Sequence, residues 1–146
     1  MSKSNSLEND FLLLLFNNTG SSLIGDATGL RGSTVAGSLF VGLHTGDPGE
    51  AGTQSTSEAT YTGYARKGVV RSGSGWTVSG NSVSNAAVVT FDQCTAGANT
   101  ITHFSIGTDL SGAGKLLYKG ALTASLSVAT PIAPQFNVGQ LSVSED

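Results

Sequence analysis

Between Ser6 and Phe16 the apolar residues follow a helical spacing. Leu7, Phe11, Leu14 and Leu15 stand at i, i+4, i+7 and i+8, and Leu12, Leu13 and Phe16 spill off that face. The pattern predicts a helix over residues 6–18, after a loose terminus at 1–5. Ser6 is the expected N-cap, accepting from the backbone N–H of Asn9. Glu8 and Asp10 suit the positive end of the helix dipole, and Asn17, Asn18 and Gly20 offer a stop. A helix that is apolar nearly all round has to be covered on more than one side. Its own domain or a neighbouring subunit can supply that cover, and Phe11, Leu12, Leu15 and Phe16 are the candidate subunit-interface residues.

Residues 21–37 are rich in Gly, Ser and Thr, with isolated apolar positions at Leu23, Ile24, Leu30 and Val35, and read as a loop or extended arm. The period then changes to two. Leu39, Val41 and Leu43 alternate with Phe40, Gly42 and His44, as in a half-buried strand. Residues 46–60 form a long polar loop. Further strands are expected at 64–71, 75–78, 82–91, 100–106, 115–122, 125–129, 132–138 and 141–144, separated by SGSG, SGN, TAGAN, DLSGAG, TP and VGQ turns. About eight short antiparallel strands punctuated by glycine predict a mainly β chain. The expected architecture is a single-domain β-sandwich or jelly roll over 38–144, with one short N-terminal helix.

Composition sharpens this picture. Charged residues make up 12% of the 146, and glycine accounts for 20 of them, which suits an all-β protein with many turns. The net charge is −3 and the seven Lys and Arg residues are scattered, so no nucleic-acid footprint is expected. The run Phe11–Phe16 is too short to cross a bilayer. It follows Glu8 and Asp10 rather than a basic region, so neither a membrane span nor a signal peptide is expected. The lone Cys94, in TFDQCTAG, has no electropositive surroundings and reads as a core residue.

Four sets of residues carry candidate chemistry. His44 and Asp47, with His103 elsewhere, are too few and too unpatterned for a triad or a zinc set, so no catalytic residue, cofactor or metal is expected. The histidines are expected to hydrogen-bond locally, with a possible His44–Asp47 bond across the GDPG turn. The stretch GTDLSGAGKLL resembles a phosphate-binding loop, but Asp109 stands where the first glycine belongs and Leu116 follows Lys115, so it reads as a β-turn. Asn17-Asn18-Thr19 fits a glycosylation sequon, a match of little weight without a secretion signal. Trp76, Tyr61 and Tyr64 are the candidates for a sugar platform, with core packing the alternative for Trp76.

Five ordered stretches carry a family resemblance: LFVGLHTGDPGE (39–50), EATYTGYARKGV (58–69), VSNAAVVTF (83–91), TITHFSIGTDLSGAGKLLYKGAL (100–122) and PQFNVGQLSVS (134–144). Together they resemble small virion structural proteins of tailed bacteriophages, in a group often labelled tail fibre proteins. The chain has no long repetitive shaft. The resemblance therefore implies a non-enzymatic capsid cement or decoration protein on the outer surface of the head, made in the host bacterial cytoplasm. Its implied partners are the major capsid protein and further copies of itself, as a homotrimer or homodimer. An edge strand at 39–45 would pair with a neighbour's strand. A tail fibre or minor tail component, with host-surface binding as its role, is the alternative, and an enzyme a distant third.

Overall fold

The computed structural model describes residues 2–22, 24–25 and 29–145; the apolar position Leu23 of the expected loop lies outside them. Among the described residues the chain has one helix, α1 (Asn5–Asn17), and nine strands. These are β1 (Ser38–His44), β2 (Lys67–Val70), β3 (Trp76–Ser79), β4 (Ser82–Asn85), β5 (Val89–Thr90), β6 (Ala98–Gly107), β7 (Leu116–Ala129), β8 (Gln135–Phe136) and β9 (Ser142–Ser144). The antiparallel strands form three sheets, ordered β2-β1-β6-β7, β3-β4-β9 and β5-β8. The mainly β class with one N-terminal helix is thus as expected. The chain folds as two compact units, one from Met1–Ser38, Val69–Val89 and Phe136–Asp146, the other from Leu39–Gly68 and Thr90–Gln135.

The first unit is built on α1. Its N-cap is Ser4 rather than Ser6: the Ser4 hydroxyl accepts from the Leu7 N–H at 3.4 Å. Asn18 ends the helix in the left-handed conformation, and the N–H of Thr19 returns to the Leu13 carbonyl at 3.0 Å. The buried face is Glu8, Leu12 and Phe16. This is the reverse of the face that spacing picked out, because Leu7 and Phe11 stay 41% and 45% exposed while Leu12 and Phe16 are fully covered. Phe16 meets the edge of Trp76 with ring centroids 4.9 Å apart. Trp76 is completely buried and its indole N–H has no partner among the described residues, so the ring contributes by its size.

The last carbonyls of α1 are served from a distance. No basic residue stands in its last turn. Instead the Arg71 guanidinium donates to the Leu15 and Leu14 carbonyls at 2.6 and 2.7 Å, and to that of Ala36 at 3.1 Å. It supplies both the missing hydrogen bonds and a positive charge at the negative end of the dipole. The described part of the 21–37 loop is tied back rather than free. Asn18 and Ser33 exchange hydrogen bonds, and Ser21 bridges to Leu30 and donates to Asp10 at 2.7 Å.

The expected strand over 82–91 is interrupted after Asn85. The Asn85 side chain, 1% exposed, donates to the carbonyls of Ala87 and Asn137 at 2.7 and 2.9 Å and accepts from the Leu141 N–H at 2.9 Å. Drawing in the Ala87 carbonyl bends the chain out of β4 before β5 begins.

In the second unit, β1 pairs with β6 in the register Phe40↔Gly107 to His44↔His103, and β6 pairs with β7. The expected strands at 115–122 and 125–129 are one strand, with a register shift opposite Ile101–His103 that absorbs the residues between them. The core holds Val41, Leu43, Tyr61, Phe91, Cys94, Ile101, Ile106 and Val128. Cys94 is fully buried, its thiol facing the Ala96 and Gly97 carbonyls at 3.4 Å. One expectation needs correcting: β1 is not an edge strand, because β2 and β6 flank it.

Replacing Asn85 by Ala removes the side-chain partner of the buried Leu141 N–H and of the Ala87 carbonyl, and a buried group left unpaired costs about 1–3 kcal/mol. We expect Asn85→Ala to lower the thermal midpoint by several degrees or more. Asn9→Ala, which removes one exposed bond to the Gly80 carbonyl, should leave it within about 0.5 kcal/mol of the parent. Differential scanning calorimetry of the two variants checks this.

Candidate functional site

The residues with chemical potential gather in the second unit, around the end of β1. His44 is completely buried. Its Nδ1 lies 2.8 Å from the Thr56 carbonyl and its Nε2 lies 2.7 Å from the Ser105 hydroxyl. A carbonyl can only accept, so Nδ1 carries the proton and Nε2 accepts from Ser105. Burial pushes the imidazole below its ordinary 6.5, with the Thr56 carbonyl opposing that shift. Gly42, the cross-strand partner of Ser105, makes room for this bond, since a Cβ there would lie 2.9 Å from the Ser105 oxygen.

Asp47 does not join His44. Its carboxylate accepts from the Gly49 N–H at 2.8 Å and pairs with Lys119 at 2.9 Å. The Gly49 bond, with Lys119, holds Asp47 below the usual carboxylate range. The turn chemistry read from GDPG is therefore present, and the His44–Asp47 bond is not. His103 stands opposite His44 in the register and makes a local contact, Nδ1 to the Thr102 hydroxyl at 2.9 Å. Among the described residues no three of His, Cys, Asp and Glu gather to hold a metal ion.

Beside His44 lies a second cluster, which motif searching missed as a site. Glu58 takes two hydrogen bonds from Arg66, Nε at 2.6 Å and Nη2 at 2.7 Å. The Tyr64 hydroxyl donates to the same carboxylate at 2.9 Å and accepts from the Leu43 N–H at 2.9 Å. Burial raises the Tyr64 phenol well above its ordinary value, and burial likewise takes Tyr61 to about 12. Arg66, 3% exposed, spends its other N–H groups on the carbonyls of Asp109 at 3.0 Å and Gly112 at 2.8 Å. The Glu58–Tyr64–Arg66 spacing was visible only as part of the family resemblance.

These contacts decide the character of the β6–β7 turn. A phosphate cradle aims N–H groups at its ligand. This turn aims carbonyls inward, at the chain's own guanidinium. Gln54 fills the remaining space: its side-chain oxygen accepts from the Asp109 N–H at 2.9 Å, and its backbone N–H donates to the Ala113 carbonyl at 2.8 Å. A Cβ on Gly107 would lie 2.1 Å from the Gln54 side chain, so any other residue there would have to displace Gln54.

The sugar-platform candidates are placed otherwise. Trp76 and Tyr61 are buried, and Tyr64 is half-buried with its hydroxyl engaged as described. Of the four interface candidates, Phe11 is exposed, Leu15 half-buried, and Leu12 and Phe16 lie inside the first unit's core. Two open cavities border the second unit. One of about 250 Å³ lies over Glu58, Tyr64, Arg66 and the 110–112 turn, and one of about 420 Å³ lies along Leu116–Lys119 and Glu50.

Removing one member of a buried ion pair leaves the other charge without compensation, at a cost of about 3–5 kcal/mol. Arg66→Met should therefore be strongly destabilising in urea, and Glu58→Gln added to it should recover part of the loss. For His44, a depressed folded value means that the unfolded chain takes up the proton first as pH falls below about 6.5. Stability should be independent of this group above that pH and decline below it. A His44→Asn variant should lack that decline in thermal midpoints measured from pH 7.5 to 5.

Residues 2–144 match the protein family described as Podophage GP4 fiber I protein gp80, and the chain belongs to that family. It is accordingly a phage virion structural protein of the fibre class. No curated protein matches the chain.

Proposed function

We propose that this member of the gp80 fibre family is a non-enzymatic building block of a fibre or tail appendage, present there as a homo-oligomer. The observation that carries this reading is the destination of its reactive groups. The carboxylate of Glu58, the guanidinium of Arg66, the imidazole of His44 and the amide of Gln54 are engaged with one another's loops and strands. A catalytic site needs groups aimed at a reacting atom. Here the same chemistry fastens surface loops, which suits a part that bears load.

What the fold leaves open is apolar. Leu7 and Phe11 stand exposed on α1, with Leu15 half-buried one turn further on, while the opposite face fills the unit's own core. The helix thus has two apolar faces, one of them covered within the chain. The other is a contact for a neighbouring subunit, whose burial stabilises assembly by about 25 cal/mol per Å². Repetition along an assembly multiplies weak contacts through effective concentration.

The cement reading, with the major capsid protein as partner, puts the same chain on the outer face of the head. The family description names a fibre, and nothing in the structure favours the head over the tail. Immunogold labelling of purified particles separates the two. Label on fibres or tail is expected, and label spread over the head shell would instead establish cement. In the same particles, a Leu7→Ser/Phe11→Ser chain that folds normally should be incorporated less than the parent.

A further inference from the structure

We infer that the cavity over the Glu58–Arg66 pair binds one neutral sugar residue, whose hydroxyls use the hydrogen-bonding capacity that the pair leaves over. The inference is independent of the proposed function, because it holds whether the chain sits on a fibre or on the head.

The polar content of the cavity follows from a count of bonds. An ionised carboxylate has about four lone-pair sites. Glu58 Oε1 accepts from Arg66 Nε and from the Tyr64 hydroxyl, and Oε2 accepts from Arg66 Nη2. One site on Oε2 stays open, and the Glu58 side chain is 19% exposed. Arg66 donates to both Glu58 oxygens and to the Asp109 and Gly112 carbonyls, which leaves one N–H of Nη1 without an acceptor among the described residues. Both residues line the cavity of about 250 Å³.

Charge narrows the ligand class. A cation entering this space would meet the guanidinium and an anion would meet the carboxylate, each at close range and with like charge. A neutral group avoids both. A hydroxyl both gives and takes a hydrogen bond at one atom. Two neighbouring hydroxyls therefore match one open acceptor and one open donor whichever of them faces which.

The apolar surface selects a sugar ring over a simple alcohol. Tyr64 and Ala65 form one wall, and Leu110 and Ser111 line the cavity from the β6–β7 turn. Leu110 is 57% exposed. Its place is fixed all the same, because Arg66 holds the carbonyls on either side of it, those of Asp109 and Gly112. The C–H face of a sugar gains from such a contact, and a preformed rim does not have to be ordered on binding. The cavity is smaller than the roughly 300–1,000 Å³ of sites for drug-sized ligands, which suits a single ring.

The test is a titration of the full chain followed by ¹H–¹⁵N correlation spectra, with methyl α-mannopyranoside and methyl α-glucopyranoside as probes. Their neighbouring hydroxyls differ in geometry, and binding of either one supports the inference. Saturable shifts are expected at the amides of Leu110 and Ser111, with a dissociation constant on the order of 10 mM. Ala65→Trp, at an exposed wall residue, fills the space and should weaken binding about tenfold or more. Leu110→Ser, at the exposed turn, should weaken it severalfold; spectra unchanged away from the site establish that each variant folds. No saturable shift with either glycoside at about 300 mM, glycerol binding as strongly as the glycosides, or parental affinity in both variants overturns the inference. None of these results bears on whether the protein is found on fibres.

Discussion

A buried guanidinium has five N–H groups, and each needs an acceptor. In the second unit, Arg66 places four of its five N–H groups on both oxygens of Glu58 and on the Asp109 and Gly112 carbonyls. One side chain thereby fastens the segment that follows the long polar loop to the turn between β6 and β7. Glu58 in turn holds the Tyr64 hydroxyl, which accepts from the backbone of β1. Strand, loop and turn are bound to one centre. Its members cannot be removed singly, because each would leave a partner buried and unsatisfied.

The first unit meets the same demand with other residues. Arg71 serves the carbonyls at the end of α1, and Asn85 serves three backbone groups from separate segments. Polar side chains here do what a larger apolar core does elsewhere, which fits a chain with many glycines and loops. It also explains why residues that look reactive in the sequence are quiet in the fold. His44 is neutral, buried and bonded on both nitrogens, and the turn that resembles a phosphate loop wraps an arginine from its own chain.

The errors of the sequence reading have specific causes. Spacing found the helix and grouped Leu7, Phe11, Leu14 and Leu15 on one face, but it left open which side turns inward, because an all-round apolar helix has no single preferred side. The side was decided by Trp76, far along the chain, which packs on Phe16. Alternation made residues 82–91 one strand, whereas Asn85 bends the chain by gathering backbone groups from 87, 137 and 141. The apparent edge at 39–45 lies inside a sheet, since strand order is not written in the period of any one strand.

Local chemistry was legible without coordinates. Two-residue alternation, glycine and proline turns, the helix and its stop, and the core role of Cys94 follow from short-range sterics and hydrophobicity, so the sequence by itself determined the mainly β class and the GDPG turn. The Glu58, Tyr64 and Arg66 spacing was on view as well, but not its meaning. Only the tertiary structure decided which strands are neighbours, which helix face is covered, and that these three residues bury around one charge. Those outcomes depend on contacts between residues distant in the chain, where satisfying a desolvated polar group overrides any local preference.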